Sequence, residues 1–197
     1  CAYTSLRAVL DAGKCEYTTC AILVDKEEVG SIGATGAHSK FFENTVAEII
    51  DRIDKFKELT LRRCLSNSRM LSSDVSAAYD PTFASAFEKK NAAFFGKGMV
   101  FNKFTGSRGK SGSNDANPEY IAKLRRIMDD NEVSFQTAEL GKVDLGGGGT
   151  IAFIPAAYGM DVIDMGVAVM NMHAQYEVSS KVDIYETVRC YKAFYEM

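Results

Sequence analysis

The chain has no apolar stretch that approaches the ~20 residues a membrane-crossing helix needs, so no transmembrane span is expected. Positive charge is not in excess either. Its 23 Lys and Arg against 26 Asp and Glu leave a net charge of -3 and a pI near 5.5, which excludes the clustered basic face of a nucleic-acid-binding domain. Cysteines are few and scattered: Cys1, Cys15, Cys20, Cys64 and Cys190 lack the CxxC spacing of a structural zinc site and the density of a disulfide scaffold. They read as reduced thiols of an intracellular protein, and a cytoplasmic location is expected. No secretory leader precedes the first helical spacing, and the chain opens on Cys1 in the middle of a pattern. It is therefore expected to start inside a domain, as an N-terminally truncated one.

What is present suits a single folded unit. A length of 197 residues with 46% hydrophobic and 25% charged side chains is ordinary for one α/β domain covering residues 1–197. Ala2–Leu10 has the spacing of an amphipathic helix closed by Gly13, and Thr18–Asp25 reads as a buried strand. Phe42, Val46, Ile49, Ile50, Ile53, Phe56 and Leu59 carry a 3.6 period over one long helix, Phe41–Leu61. A strand is expected at Arg69–Val75, then a turn at Asp80-Pro81. The stretch Phe94–Asn117 turns to Gly, Ser, Lys and Asn, giving a short strand at Met99–Phe101 and then a mobile loop. Pro118 opens the helix Glu119–Asp129. Strands at Val133–Glu139 and Met160–Val169 flank a helix beginning near Thr150 and ending at Gly159, and Val178–Tyr195 closes the chain as a helix. This alternation predicts a three-layer α/β sandwich whose central, mostly parallel, mixed sheet is flanked by helices.

Chemistry is concentrated at a few places. Glu27 and Glu28 follow an apolar segment at a predicted strand end, where neighbouring side chains point in opposite directions, so one carboxylate can bind a metal while the other handles a proton. The alternative is a solvated acidic turn. Asp74 lies at another strand end, as a ligand or a turn-forming residue. His173 follows the strand Met160–Val169 as a ligand or a polar loop residue, and His38 is read as a loop residue. The run Gly146–Gly149 lacks the Lys-Ser/Thr of a P-loop and the GxGxxG of a dinucleotide site. It marks either close backbone approach to a ligand or a tight strand-to-helix turn. In open α/β sheets ligands bind beyond the carboxyl ends of strands.

In order, DKEEVGS, SSDVSAAYDP, GGGGTIA, GMDVIDMGV and MNMHAQYE resemble the aminopeptidase I and aspartyl aminopeptidase family of binuclear zinc metallopeptidases, over nearly the whole chain. The resemblance implies a zinc-peptidase-like fold and a zinc-dependent aminopeptidase that removes N-terminal residues from peptides. Glu27 would be the catalytic carboxylate, acting as general base on a metal-activated water. Glu28 and His173 would share one metal, and Asp74 would hold the other. Two zinc ions per complete subunit are implied, with Mn or Co as substitutes, and so is a homo-oligomer, possibly a dodecamer. The segment Ala2–Ala8 matches the stretch that follows the family's bridging-aspartate motif. That aspartate, an earlier histidine and the dimerisation domain are absent from this sequence.

An aminopeptidase must also bind a free amino group and the peptide backbone. Asp144 is a candidate for the amine, Gly147 and Gly148 for close backbone approach, and Lys110 for a substrate carbonyl or side chain, unless it is merely solvated. Ala77, where aspartyl aminopeptidases carry histidine, and GKSGSNDA over residues 109–116 depart from the acidic-specific branch and point to the bacterial aminopeptidase I-like one. The alternative function is a truncated, non-catalytic α/β fragment with an incomplete metal site, acting structurally or in assembly.

Overall fold

The computed structural model describes residues 1–108, 110–142 and 148–197. Four strands form the central sheet: β1 (Arg69–Ser73), β3 (Met99–Asn102), β6 (Phe135–Thr137) and β7 (Asp161–Gly166), in the order β1-β7-β3-β6. β1 runs parallel to β7 and β3 parallel to β6, whereas β3 and β7 are antiparallel. The sheet is thus mixed, as expected. A second sheet joins β2 (Ser76–Ala77), β8 (Ala168–Met170) and β9 (Val178–Ser179) in the order β2-β8-β9, and β4 (Phe104–Ser107) pairs with β5 (Ser111–Asp115) as an antiparallel hairpin.

Strand alternation distributes the core to two faces. Ile163 and Met165 of β7 join Met99 and Phe101 beneath α1 (Ala2–Asp11), α4 (Pro118–Asp130) and α6 (Lys181–Tyr195), which contribute Ala8, Tyr120, Leu124, Met128, Cys190 and Tyr191. Val162 on the other face packs with Leu61 and Leu65 of α3 (Glu58–Ser66), against α2 (Phe41–Ile53) and α5 (Phe153–Ala156). α4 shows the local logic: Pro118 at its first turn needs no donor, Asn117 before it is extended, and Tyr120, Leu124 and Met128 recur at four-residue spacing on the buried side. Burying each such side chain contributes about 1.5–3 kcal/mol.

Several expectations need correction. Thr18–Asp25 is not a buried strand: Leu23 and Val24 are exposed, and its one β contact is an isolated bridge from Asp25 to Gly36. A strand-like composition stabilises a strand only where a neighbour supplies the ladder, and among the described residues none does. The long helix Phe41–Leu61 is two helices. Asp54 turns extended, its carboxylate takes the Lys55 amide at 2.7 Å, and Asp51 takes the Phe56 amide at 3.1 Å, so short acidic side chains capture amides that a continuing helix would use. The expected mobile loop after Phe101 contains the β4–β5 hairpin. Helix α1 ends at Asp11, and Gly13 donates its amide to Glu196 Oε1 rather than forming the cap. Met160–Val169 is not one strand, because the chain passes from β7 into β8 of the second sheet. The last helix starts at Lys181 with Ser180 as its side-chain cap, and Val178–Ser179 pairs with β8 instead.

Candidate metal and catalytic site

The loop between Asp25 and His38 is built to present Glu27 and Glu28. Asp25 ties it at the base, accepting from the Lys26 amide at 2.8 Å and the Thr35 hydroxyl at 3.0 Å. Lys26, Gly30 and Ser31 all adopt left-handed backbone, and the Ser31 amide closes onto the Lys26 carbonyl at 2.7 Å. A Cβ on Gly36 would lie 2.2 Å from the Ser31 carbonyl oxygen, so glycine is required there. Inside this loop Glu27–Val29 forms one 3-10 turn. The turn leaves Glu27 half-buried and Glu28 exposed, and the pair sits in this turn, not at the end of a strand as the sequence reading expected.

His173 comes from the segment between β8 and β9. It is held at φ 68°, with its amide donating to Glu177 Oε1 at 2.7 Å, and Asn171 two residues earlier is also left-handed. Non-glycine residues in this region cost of order 1–3 kcal/mol each and concentrate at functional sites. His173 Nδ1 stands 3.5 Å from Glu28 Oε1. Asp74 lies just past β1, half-buried, with its amide reaching the Met165 carbonyl at 3.2 Å and its carboxylate accepting the Val75 amide at 2.7 Å.

These four side chains sense one another. Partial burial raises the pKa of Glu27, the negative charges of Asp74 and Glu28 raise it further, and His173 opposes. Asp74 is likewise raised by burial and by Glu28, against the Val75 amide and His173. Mutual repulsion of this kind is relieved by a bound cation. An imidazole nitrogen with carboxylate oxygens is a donor set that zinc accepts. Among the described residues, however, no three His, Cys, Asp or Glu side chains form a metal-holding group. The chemistry fits a divalent ion, and the ligand set present is partial.

The substrate-side candidates are more dispersed. Lys110 is exposed beyond the β4 strand, its amide donating to the Ser107 carbonyl at 3.2 Å. Gly148 accepts the Gly106 amide at 3.0 Å, joining the glycine run to the hairpin. Asp144 and Gly147 lie outside the described residues. His38 stacks edge-on against Phe153 at 5.7 Å. Sequence reasoning missed Asp164, a carboxyl 2% exposed in the middle of β7. Its one signal was an acidic residue within the apolar run GMDVIDMGV.

A mixed sheet flanked by helices places the chain among α/β proteins, with Glu27, Glu28, Asp74 and His173 near one another at its edge. The chain belongs to the M18 family: the family model described as aminopeptidase I zinc metalloprotease matches residues 1–195. It is 66% identical over 194 residues to the probable M18 family aminopeptidase 1 of Clostridium acetobutylicum, covering 98% of this chain and 42% of that protein. The crystal structure of aminopeptidase I from the same organism superposes with a TM-score of 0.91 at 64% identity, over 100% of this chain and 42% of that one. An M18 family aminopeptidase of Thermotoga maritima superposes at 0.95 with 42% identity, over 100% of this chain and 44% of that one. The chain thus spans less than half the length of these relatives.

Proposed function

We propose that the protein is a zinc-dependent aminopeptidase that hydrolyses N-terminal residues from peptides, with Glu27 as general base. The observation that carries this reading is the gathering of Glu27, Glu28, Asp74 and His173 from three separate segments, with the half-buried Glu27 raised in pKa beside the Glu28–His173 pair. Glu28 and His173 would hold one ion and Asp74 a second, with Mn or Co able to replace zinc. Bound zinc supplies a Lewis acid that polarises a peptide carbonyl and makes water more acidic. Glu27 takes the proton of the attacking water and returns it to the departing amine, a task helped by a pKa closer to neutrality. Glu28, as a metal ligand in this reading, would not be free to do this.

Substrate is held, in this reading, with the help of Lys110 and Gly148, and Asp144 and Gly147 are candidates from the sequence alone. A cytoplasmic location is supported by five free thiols, and among the described residues no helix is long and apolar enough to cross a membrane. Homo-oligomer formation is supported by the exposed apolar residues Tyr3, Leu6 and Leu10 of α1 and Val182 and Tyr185 of α6.

A second reading, a non-catalytic unit acting in assembly, is favoured by the partial ligand set. One experiment separates the two: zinc content and hydrolysis of an unblocked peptide, measured for the parent protein and for Glu27→Gln. The proposal expects zinc to be retained and kcat to fall by about 10²–10⁴-fold. Unchanged hydrolysis in Glu27→Gln removes Glu27 from the role, and a parent that binds no zinc favours the non-catalytic reading.

A further inference from the structure

One carbonyl, that of Met165, ties Asp74 to the neighbouring strand. Asp74 is the first residue past β1, where the chain leaves the central sheet for β2 while β7 beside it gives way to β8. The ladder that pairs Ser73 with Met165 stops there and resumes where the Ser76 amide reaches the Val167 carbonyl at 2.9 Å. In the gap the Asp74 amide is shared between the Ser72 carbonyl at 3.1 Å and the Met165 carbonyl at 3.2 Å.

The same Met165 carbonyl accepts the hydroxyl of Tyr191, from α6, at 3.1 Å. A carbonyl oxygen has two lone pairs, so these two donors fill it. Tyr191 is 3% exposed, and its hydroxyl lies 2.6 Å from Ser73 Oγ. With its one proton given to Met165, the phenol can only accept at this contact, so Ser73 donates. Ser73 Oγ in turn lies 3.0 Å from Ser5 Oγ of α1, which also reaches the Cys1 carbonyl at 3.1 Å. The protons therefore run one way, from Ser5 to Ser73 to Tyr191 to the Met165 carbonyl, and such chains reinforce one another in a low-dielectric interior. They converge on the atom that holds the Asp74 amide.

Ser73 and Asp74 are consecutive, so this chain of hydroxyls grips both the residue before the carboxylate and the carbonyl its amide uses. On the other side Gly166 packs so closely on the Asp74 carbonyl that a Cβ there would overlap it. The Asp74 carboxylate, bonded to the Val75 amide at 2.7 Å, takes its direction from the backbone held between them. Tyr120 of α4 supplies a contrast. It is 2% exposed and donates to the Met70 carbonyl of β1 at 3.1 Å, but Met70 lies near the start of that strand, away from Asp74. We propose that Tyr191 is a positioning residue for the metal site: through the Met165 carbonyl and Ser73 it fixes the backbone of Asp74, and so the direction in which that carboxylate meets a divalent ion. The inference rests on the aminopeptidase reading above, in which Asp74 holds one ion.

The test is a zinc titration of the chain by equilibrium dialysis, with Asp74→Asn marking the share of bound zinc that depends on Asp74. Tyr191→Phe removes the hydroxyl and keeps the ring. It is expected to weaken the Asp74-dependent zinc about tenfold, the lower end of what hydrogen-bonding support behind a metal ligand is worth. The zinc that survives Asp74→Asn should bind as in the parent. Tyr120→Phe removes a matching buried bond to β1 and should lower thermal stability while leaving all zinc binding unchanged. If Tyr191→Phe does not fold, Ser73→Ala, which takes away the donor that orients the phenol, carries the same measurement. Asp74-dependent zinc that binds equally in Tyr191→Phe and the parent, or weakens as much in Tyr120→Phe, overturns this inference alone. A parent that binds no zinc, or none that depends on Asp74, overturns the role of Asp74 in the proposed function and this inference with it.

Discussion

Gly166 is where the fold and the candidate metal site meet most tightly, and Gly166→Ala probes that contact with one methyl group. A Cβ built on Gly166 falls 1.8 Å from the Asp74 carbonyl oxygen, 2.7 Å from its carbonyl carbon and 2.8 Å from Cys1 Sγ. The first two are backbone atoms and cannot rotate away. To reach the 3.0 Å below which real Cβ contacts essentially never occur, the Asp74 backbone must retreat by about 1.2 Å. β1 and β7 are held by paired hydrogen bonds from Arg69–Asp161 to Ser73–Met165, so the displacement is pushed past the strand end, into Asp74 and Val75. Overpacking of this kind costs about 1–3 kcal/mol of stability. A displacement near 1 Å at a catalytic group costs on the order of 10²-fold in rate. Three measurements on purified Gly166→Ala follow: thermal unfolding, zinc content and peptide hydrolysis. A protein that stays folded, with zinc affinity lowered and kcat/KM reduced about 100-fold, is expected. Zinc content and kcat/KM both within twofold of the parent would refute the placement of Asp74 in the site.

Two further outcomes test the scaffold and its titration. Asp183, fully buried at the start of α6, accepts the Gly96 and Gly98 amides at 2.8 Å each, so Asp183→Ala orphans two donors and should cost about 3–5 kcal/mol in denaturant unfolding. A loss below about 1 kcal/mol would show that those amides find other partners. Glu139 has its pKa raised from 4.5 to about 7, first by burial, with Asp115 adding to the rise and Lys103 opposing it. Its folded state binds the proton more tightly than the unfolded chain, so the stability it contributes is full below 4.5 and is lost as pH rises to about 7. Glu139→Gln should therefore flatten the melting temperature across that window and raise it at pH 8. A melting profile parallel to the parent's would contradict the assignment.

The amino-acid sequence determined the short-range features. Pro118 set the start of α4, the four-residue apolar spacing set its buried side, and β1, β3 and β6 came within a few residues of their observed positions. These depend on local sterics, capping and periodicity, which a few neighbouring residues specify. Glu27, Glu28, Asp74 and His173 stood out in the sequence as side chains able to bind a metal or move a proton, and the family resemblance, not their local pattern, singled them out from turn and loop residues. Their convergence was not visible from spacing, since it requires the Asp25–His38 loop to fold over β1 and the β8–β9 segment.

Tertiary structure decided the rest. Thr18–Asp25 has strand composition without a strand's neighbours, and the β4–β5 hairpin has a neighbour's ladder without strand composition, its Gly, Ser and Asn being poor β formers. The break between α2 and α3 turned on two aspartates competing for backbone amides. Asp164 reads in sequence as the second of two aspartates in an otherwise apolar strand. Only when β7 lies between β1 and β3 does it become a buried carboxyl that accepts the Thr105 hydroxyl. Pairing and burial are long-range properties: their free energy comes from groups distant along the chain, so no local window of residues contains it.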